Sequence, residues 1–390
     1  MKSVNLFEEE RMNFPVLREK AYFSTASTGL IPTYIHEAIK EYQENRYLIG
    51  GDAWWNGMNT SQMMDWSKLQ IAQMLGCDKD EIAFGDNSSR LLNIFVNGIR
   101  LEPGDNVILA DETFISSRFA WQLRERDGIK IKEVNTSSGC ITPEDILNAI
   151  DERTKVVSLS FVESSTGYKY DLAEIGKICR ERGILFCVDG VQGLGIMPID
   201  VKKMSIDVLV GNDYKWMMGY CGTGFAYFNK GLIERIIPCG AGWMSDTHRY
   251  DTKKLRLELR ADAGRFEMGY PNVSGVYGLG LAAQKYLSLG GGQIREYVME
   301  LKSYLISRIK KSNNISLAYE FGPENQSQLT IINISNAYPD LVQQLARRKV
   351  IIEGSVDSEK GCFTSRIGLH YFNNKSDIDK LIAAIERSET

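Results

Sequence analysis

Lys215, in Gly211-Asn212-Asp213-Tyr214-Lys215-Trp216, and Asp189, in Val188-Asp189-Gly190-Val191-Gln192-Gly193, are the residues whose types and settings point most directly to covalent chemistry. A lysine amine attacks a carbonyl only as the free base. The bulky neighbours Tyr214, Trp216, Met217 and Met218 can desolvate Lys215 and lower its pKa toward that form. A lysine without such neighbours is usually a solvated surface charge. Both residues follow short apolar runs, and ligands of open α/β sheets gather beyond the carboxyl ends of strands. Asp189 by itself reads equally as a helix cap or an ion-pair partner. Gln192 and Lys215 nearby turn the reading toward a binding site.

The elements that must position these residues are short β-rich apolar runs at 81–84, 106–110, 129–134, 155–162, 184–188 and 207–210. Between them lie stretches of helical spacing such as 143–150 and 172–182. This alternation predicts an α/β fold, a mostly parallel sheet of about seven strands with helices on both faces. Only about a dozen residues separate 207–210 from the next strand candidate, 222–228, which is too few for a helical crossover. An antiparallel strand is therefore expected there, with Lys215 on the connecting loop. Past residue 272 the pattern changes to a helix at 273–289, a Gly290-Gly291-Gly292 break and a helix at 294–312. β-like segments at 329–334 and 350–353 and a last helix at 377–385 follow. The expected organisation is a large unit, 16–271, that holds the site, and a smaller C-terminal α+β unit, 272–390, with residues 1–15 packing against it.

Composition excludes several function classes. A chain of 390 residues with 43% hydrophobic content can bury a substantial core, and a net charge of -4 without a long basic run offers no footprint for nucleic acid or an anionic membrane. The first ten residues lack the apolar core of a signal peptide and no stretch is apolar for a membrane span, so the expected location is the cytoplasm. Seven scattered cysteines form no Cys-x-x-Cys pair, and His36, His248 and His370 show no zinc spacing, so no metal is expected. Gly278-Leu279-Gly280-Leu281-Ala282-Ala283 matches a dinucleotide fingerprint in letters, but no strand precedes it, and its glycines are read as helix-packing positions.

The run from Phe186 to Phe228, with Asp189, Gln192, Asp207, Lys215-Trp216 and Gly222-Thr223-Gly224-Phe225, resembles the class V aminotransferase family of fold-type I enzymes that use pyridoxal 5'-phosphate (PLP). The likeness extends from about Tyr22 to the last helix. It implies that Lys215 forms a Schiff base with the cofactor aldehyde and that Asp189 partners the pyridine nitrogen, with Gln192 near the ring hydroxyl. It further implies that Ser88 and Ser89, before a helix at 91–98, bind the phosphate at a helix start, with Asn212 as a second contact. Phe114 would stack on the ring, and Ser164, Tyr214 and Tyr270 complete the implied cofactor set. Tyr270, in Arg265-Phe266-Glu267-Met268-Gly269-Tyr270, belongs to a segment that resembles one reaching the neighbouring subunit's phosphate, which implies a homodimer with shared sites.

For the substrate, Arg366 in Phe363-Thr364-Ser365-Arg366-Ile367-Gly368 matches the family's carboxylate-gripping arginine, a task suited to a planar fork of donors, and Ser27 joins it. Family desulfurases carry a nucleophilic cysteine on a loop upstream of that arginine, whereas 353–361 contains none, and Cys362 lies too close to Arg366 to match. Trp54 and Trp55 are candidates for a substrate entrance. The order of expectation is aminotransferase, then carbon-sulfur or β-lyase, then amino-acid epimerase.

Overall fold

The strands of the main sheet run Ile82–Gly85, Gly224–Phe228, Val208–Asn212, Leu185–Asp189, Thr154–Ser160, Asn106–Ala110 and Lys130–Val134 across its width. The computed structural model describes residues 2–50, 57–135, 139–249, 251, 253, 256–335, 339–357 and 361–387. Only Gly224–Phe228 runs against the others; it pairs antiparallel with both Ile82–Gly85 and Val208–Asn212. Its neighbours are all but fully buried, which explains why these strands read as continuous apolar runs rather than alternating ones. As expected, Lys215 sits on the short connection into the antiparallel strand.

Helices cover both faces. Leu172–Arg182 is capped by the Asp171 carboxylate, which accepts from Glu174 N–H, and closed by Gly183. Val273–Leu289 crosses Thr60–Leu75 closely enough that a Cβ on Gly280 would lie 2.6 Å from Ser67 Oγ, so the dinucleotide-like glycines serve helix packing. The break at 290–292 is narrower than expected. Only Gly290, at φ 79°, leaves the helical region, and Gly291 already begins the helix Gly291–Ile309.

A second sheet, four-stranded and antiparallel, runs Glu353–Asp357, Cys362–Gly368, Leu329–Ile334 and Ile315–Leu317. The expected strand at 350–353 is divided in the structure. Val350–Ile351 pairs in parallel with Ala21–Tyr22, while Glu353 opens the next strand. The N-terminal helix Lys2–Arg11 lies on this part of the molecule: Phe7 stacks on Tyr297 at 4.5 Å, and Arg11 forms a bidentate pair with buried Asp377 at 2.7 and 2.9 Å. Among the described residues no helix is long and apolar enough to cross a membrane.

His370 joins the two parts. Its Nε2 donates to Trp216 O at 3.1 Å, its Nδ1 accepts from Tyr371 N–H at 3.0 Å, and its ring stacks on Phe372 at 4.6 Å. Both nitrogens are used by the neutral tautomer, and burial pushes the pKa down to about 3. Above pH ~6.5 folded and unfolded states are both neutral at this group, so its stabilisation is complete. As pH falls below that value only the unfolded chain takes the proton, and stability drains away until about pH 3, by a few kcal/mol at about 1.4 per pH unit. Denaturant midpoints at pH 7 and pH 4.5 test this: His370→Gln should be weaker than the wild type at pH 7 but lose less on acidification.

Candidate active site

The carboxyl ends of the parallel strands converge on one opening, and the loop after Val208–Asn212 carries Lys215 into it. That loop has a fixed shape: Gly219 N–H donates to Asp213 O at 2.7 Å, Met218 N–H to Lys215 O at 3.1 Å, and Asp213 N–H to Thr223 O at 3.2 Å. Met218 takes the left-handed conformation, φ 55°, uncommon for its type. The Trp216 indole donates to Gln192 Oε1 at 2.7 Å, and Gln192 Nε2 donates to Ala26 O at 3.0 Å. Gly29 packs so tightly under the loop that a Cβ there would stand 1.9 Å from Lys215 O, which only glycine permits. The amine is thus held by strands, indole and glycine together.

A cavity of about 190 Å3 lies in front of it. Its walls include Ser88, Ser89, Phe114, Ser164, Asp189, Gln192, Asn212, Tyr214 and Lys215, nine of the residues singled out above. Lys215 Nζ lies 5.6 Å from the centre of the Phe114 ring and 5.9 Å from that of Tyr214. Burial lowers the Lys215 pKa and nearby Arg366 adds to this, while Asp189 and Glu353 pull the other way. The free base needed for attack on a carbonyl is correspondingly favoured.

Asp189 ends its strand and is not a helix cap. One oxygen accepts from Val191 N–H at 3.0 Å and the other from Ser117 Oγ at 3.5 Å. Burial raises its pKa, partly offset by Val191 N–H, Lys215 and Ser117. Behind it, Glu163 is buried, receives bonds from Ser160 Oγ and Tyr170 OH at 3.2 and 3.1 Å, and is pushed up to about 8. Burial thus favours the neutral form of Glu163 and limits a second negative charge beside Asp189.

Ser88 and Ser89 do not precede the helix but form its first turn, Ser88–Gly98. The cap is Asn87, whose Oδ1 accepts from Arg90 N–H at 2.8 Å. This leaves the Ser88 and Ser89 amides without intrahelical acceptors at the cavity wall, where the helix dipole favours an anion.

Arg366 and Ser27 stand beside the cavity. Arg366 Nη1 donates to Ser164 O at 3.4 Å and Nη2 to Ser27 Oγ at 3.3 Å. Nη2 also lies 2.8 Å from Glu353, directly opposite Arg366 across the antiparallel pair, and Ser27 Oγ donates to the second Glu353 oxygen. Tyr270 is not brought to this cavity. It is exposed, packs edge-on against Trp243 at 5.1 Å and lines a separate cavity with Arg90 and Met268. Trp54 and Trp55 lie outside the described residues. Sequence reasoning missed Glu353, Ser116, Ser117 and Ser160. The hydroxyls at 116 and 117, just after Phe114 at a helix start, were the available signal; Glu353 had none without strand register.

The donor set fits PLP. An amine of lowered pKa can meet an aldehyde, and helix-start amides and hydroxyls can meet a phosphate. A buried carboxylate with no ion pair of its own among the described residues suits a protonated ring nitrogen. Fold and pocket together define a fold-type I PLP-dependent enzyme. The model of the class V aminotransferases matches residues 21–381, and the chain belongs to that family. It is 27% identical to a probable cysteine desulfurase of Methanothermobacter thermautotrophicus over 97% of both chains. Its fold matches an apo cysteine desulfurase from Thermococcus onnurineus (TM-score 0.87, 23% identity, 98% and 97% of the two chains). It also matches the cystine C-S lyase C-DES in complex with cysteine persulfide (TM-score 0.85, 23% identity, 95% and 98%).

Proposed function

We propose that this chain is a PLP-dependent carbon-sulfur β-lyase acting on a cysteine-derived amino acid, rather than the aminotransferase placed first from the sequence. The observation that carries the reading is a pocket lined by an amine and a carboxylate, with the Arg366 guanidinium beside it and no thiol among its lining residues, in a chain similar over nearly its whole length to a probable cysteine desulfurase. Cys362 lies four residues from Arg366 on the same strand, about 13 Å along it. Sulfur then leaves with its own fragment and does not pass to an enzyme cysteine.

When bound, PLP supplies an electron-accepting ring that weakens the bonds at the substrate's α and β carbons. The chain does the rest. Arg366 grips the carboxylate and fixes which bond faces the ring. Lys215 Nζ, once free, removes the α-proton and serves as its carrier. Asp189 would hold a proton on the ring nitrogen, and Ser88, Ser89 and Asn212 would hold the phosphate. The Cβ–S bond breaks, the thiol departs, and water converts the three-carbon remainder to pyruvate and ammonium. The same reading makes the molecule a cytoplasmic homodimer, with a large unit at 16–271, a small one at 272–390 and the Tyr270 segment reaching a neighbour's phosphate.

The test is product analysis with L-cysteine, L-cystine and S-ethyl-L-cysteine, supplied without any keto acid. Sustained pyruvate and ammonium formation is expected. A single stoichiometric turnover that resumes only when a keto acid is added would identify an aminotransferase instead.

A further inference from the structure

Glu353 is an anion built into the seat that Arg366 provides for the substrate carboxylate. Its place is set by the fold, because the register pairs Glu353 directly with Arg366 on adjacent strands. One carboxylate oxygen lies 2.8 Å from Arg366 Nη2, and that oxygen is buried without a well-aligned hydrogen bond. The other oxygen takes the Ser27 hydroxyl. Glu353 and Arg366 both act electrostatically on Lys215, and Arg366 bonds to the cavity residue Ser164, so the pair stands beside the space that the amine lines. Arg366 retains Nη1, whose bond to Ser164 O at 3.4 Å is long and easily exchanged, as its point of entry for an incoming carboxylate.

A substrate carboxylate on that guanidinium lies next to the Glu353 carboxylate, whose pKa burial raises while Arg366 and Lys215 favour its charged form. The pair tolerates one such carboxylate, since Arg366 sits between them, but a second anion on the substrate side chain meets Glu353 without compensation. A second cation there instead meets a carboxylate that Arg366 only partly satisfies. Resting on the reading of the pocket as an amino-acid site, we infer that Glu353 is a specificity-determining residue, which selects S-substituted cysteines with an amine at the far end and rejects those ending in a carboxylate.

The ligands for the test are S-(2-aminoethyl)-L-cysteine, S-ethyl-L-cysteine and S-carboxymethyl-L-cysteine, which share a shape and differ in side-chain charge. Dissociation constants come from the visible absorption of the PLP-loaded enzyme in the first milliseconds after mixing, so that binding is read whether or not turnover follows. The wild type should bind the amine most tightly and the carboxylate least, with steps of about tenfold. Glu353→Gln should collapse this order, tightening the carboxylate and weakening the amine, whereas Glu353→Asp, which keeps the charge, should preserve it. Equal ratios in wild type and E353Q, or loss of the order in E353D as well, overturn the inference. Arg366→Gln separates the two levels of the reading. If it weakens all three ligands while E353Q changes no ratio, only the role of Glu353 fails; if it weakens none, the amino-acid seat itself is misplaced.

Discussion

Lys215→Ala should lower turnover about 10³- to 10⁴-fold, the upper part of the range for losing a positioned acid-base group, because one amine serves as attachment point and as proton carrier. The loss should not be structural. Burial lowers the pKa of this amine, which means the folded chain carries it at a cost, and the loop is held by backbone bonds and the Trp216 indole rather than by Nζ. The melting temperature of the variant should therefore stay within a few degrees of the wild type. Arginine should not restore activity, since a guanidinium stays protonated and cannot attack an aldehyde. The measurements are steady-state pyruvate release and borohydride reduction of the loaded protein, which should fix the cofactor to the wild-type chain and not to the alanine variant. A variant retaining more than a tenth of wild-type turnover would remove Lys215 from the chemistry.

Much of this arrangement was legible because its determinants are local. The strands Asn106–Ala110 and Val208–Asn212 are buried on both faces, so their apolar runs stand out, and the cramped connection after residue 210 sufficed to imply the antiparallel strand and the loop carrying Lys215. What escaped the sequence depends on contacts between distant segments. Glu353 looks like any other charge on an edge strand until register places it across from Arg366, 13 positions away. Ser117 reaches Asp189 only through the packing of a helix over the sheet. The serines at 88 and 89 were set before the helix because Asn87 and a hydroxyl residue are equally good caps, and only the bond from Arg90 N–H distinguishes them. The choice between transfer and elimination was less legible still, because both chemistries use the same amine, acid and guanidinium. The proposal of elimination rests on relatives named as cysteine desulfurases and on the position of Cys362.

Asp189→Asn separates a catalytic carboxylate from a structural one. The amide is nearly isosteric: its oxygen can still accept from Val191 N–H, and its nitrogen can donate to Ser117 Oγ. Nothing in the packing need change, while the buried negative charge disappears. Burial is the largest influence on this group and raises its pKa, so the ionised form is costly in the cofactor-free chain, and the variant without cofactor should be as stable as the wild type or more so. With cofactor present the balance reverses. A positive ring nitrogen would add to the partial counter-charge that Lys215 supplies to Asp189, and an amide cannot supply the matching negative charge. Turnover should fall about 10²- to 10³-fold, comparable to removing one preorganised electrostatic contact from an active site. PLP should add less to the melting temperature of the variant than to that of the wild type. The combination of undiminished cofactor-free stability, weakened cofactor stabilisation and lost turnover belongs to a residue that works on the ring. A drop in cofactor-free stability with turnover largely intact would instead make Asp189 part of the scaffold.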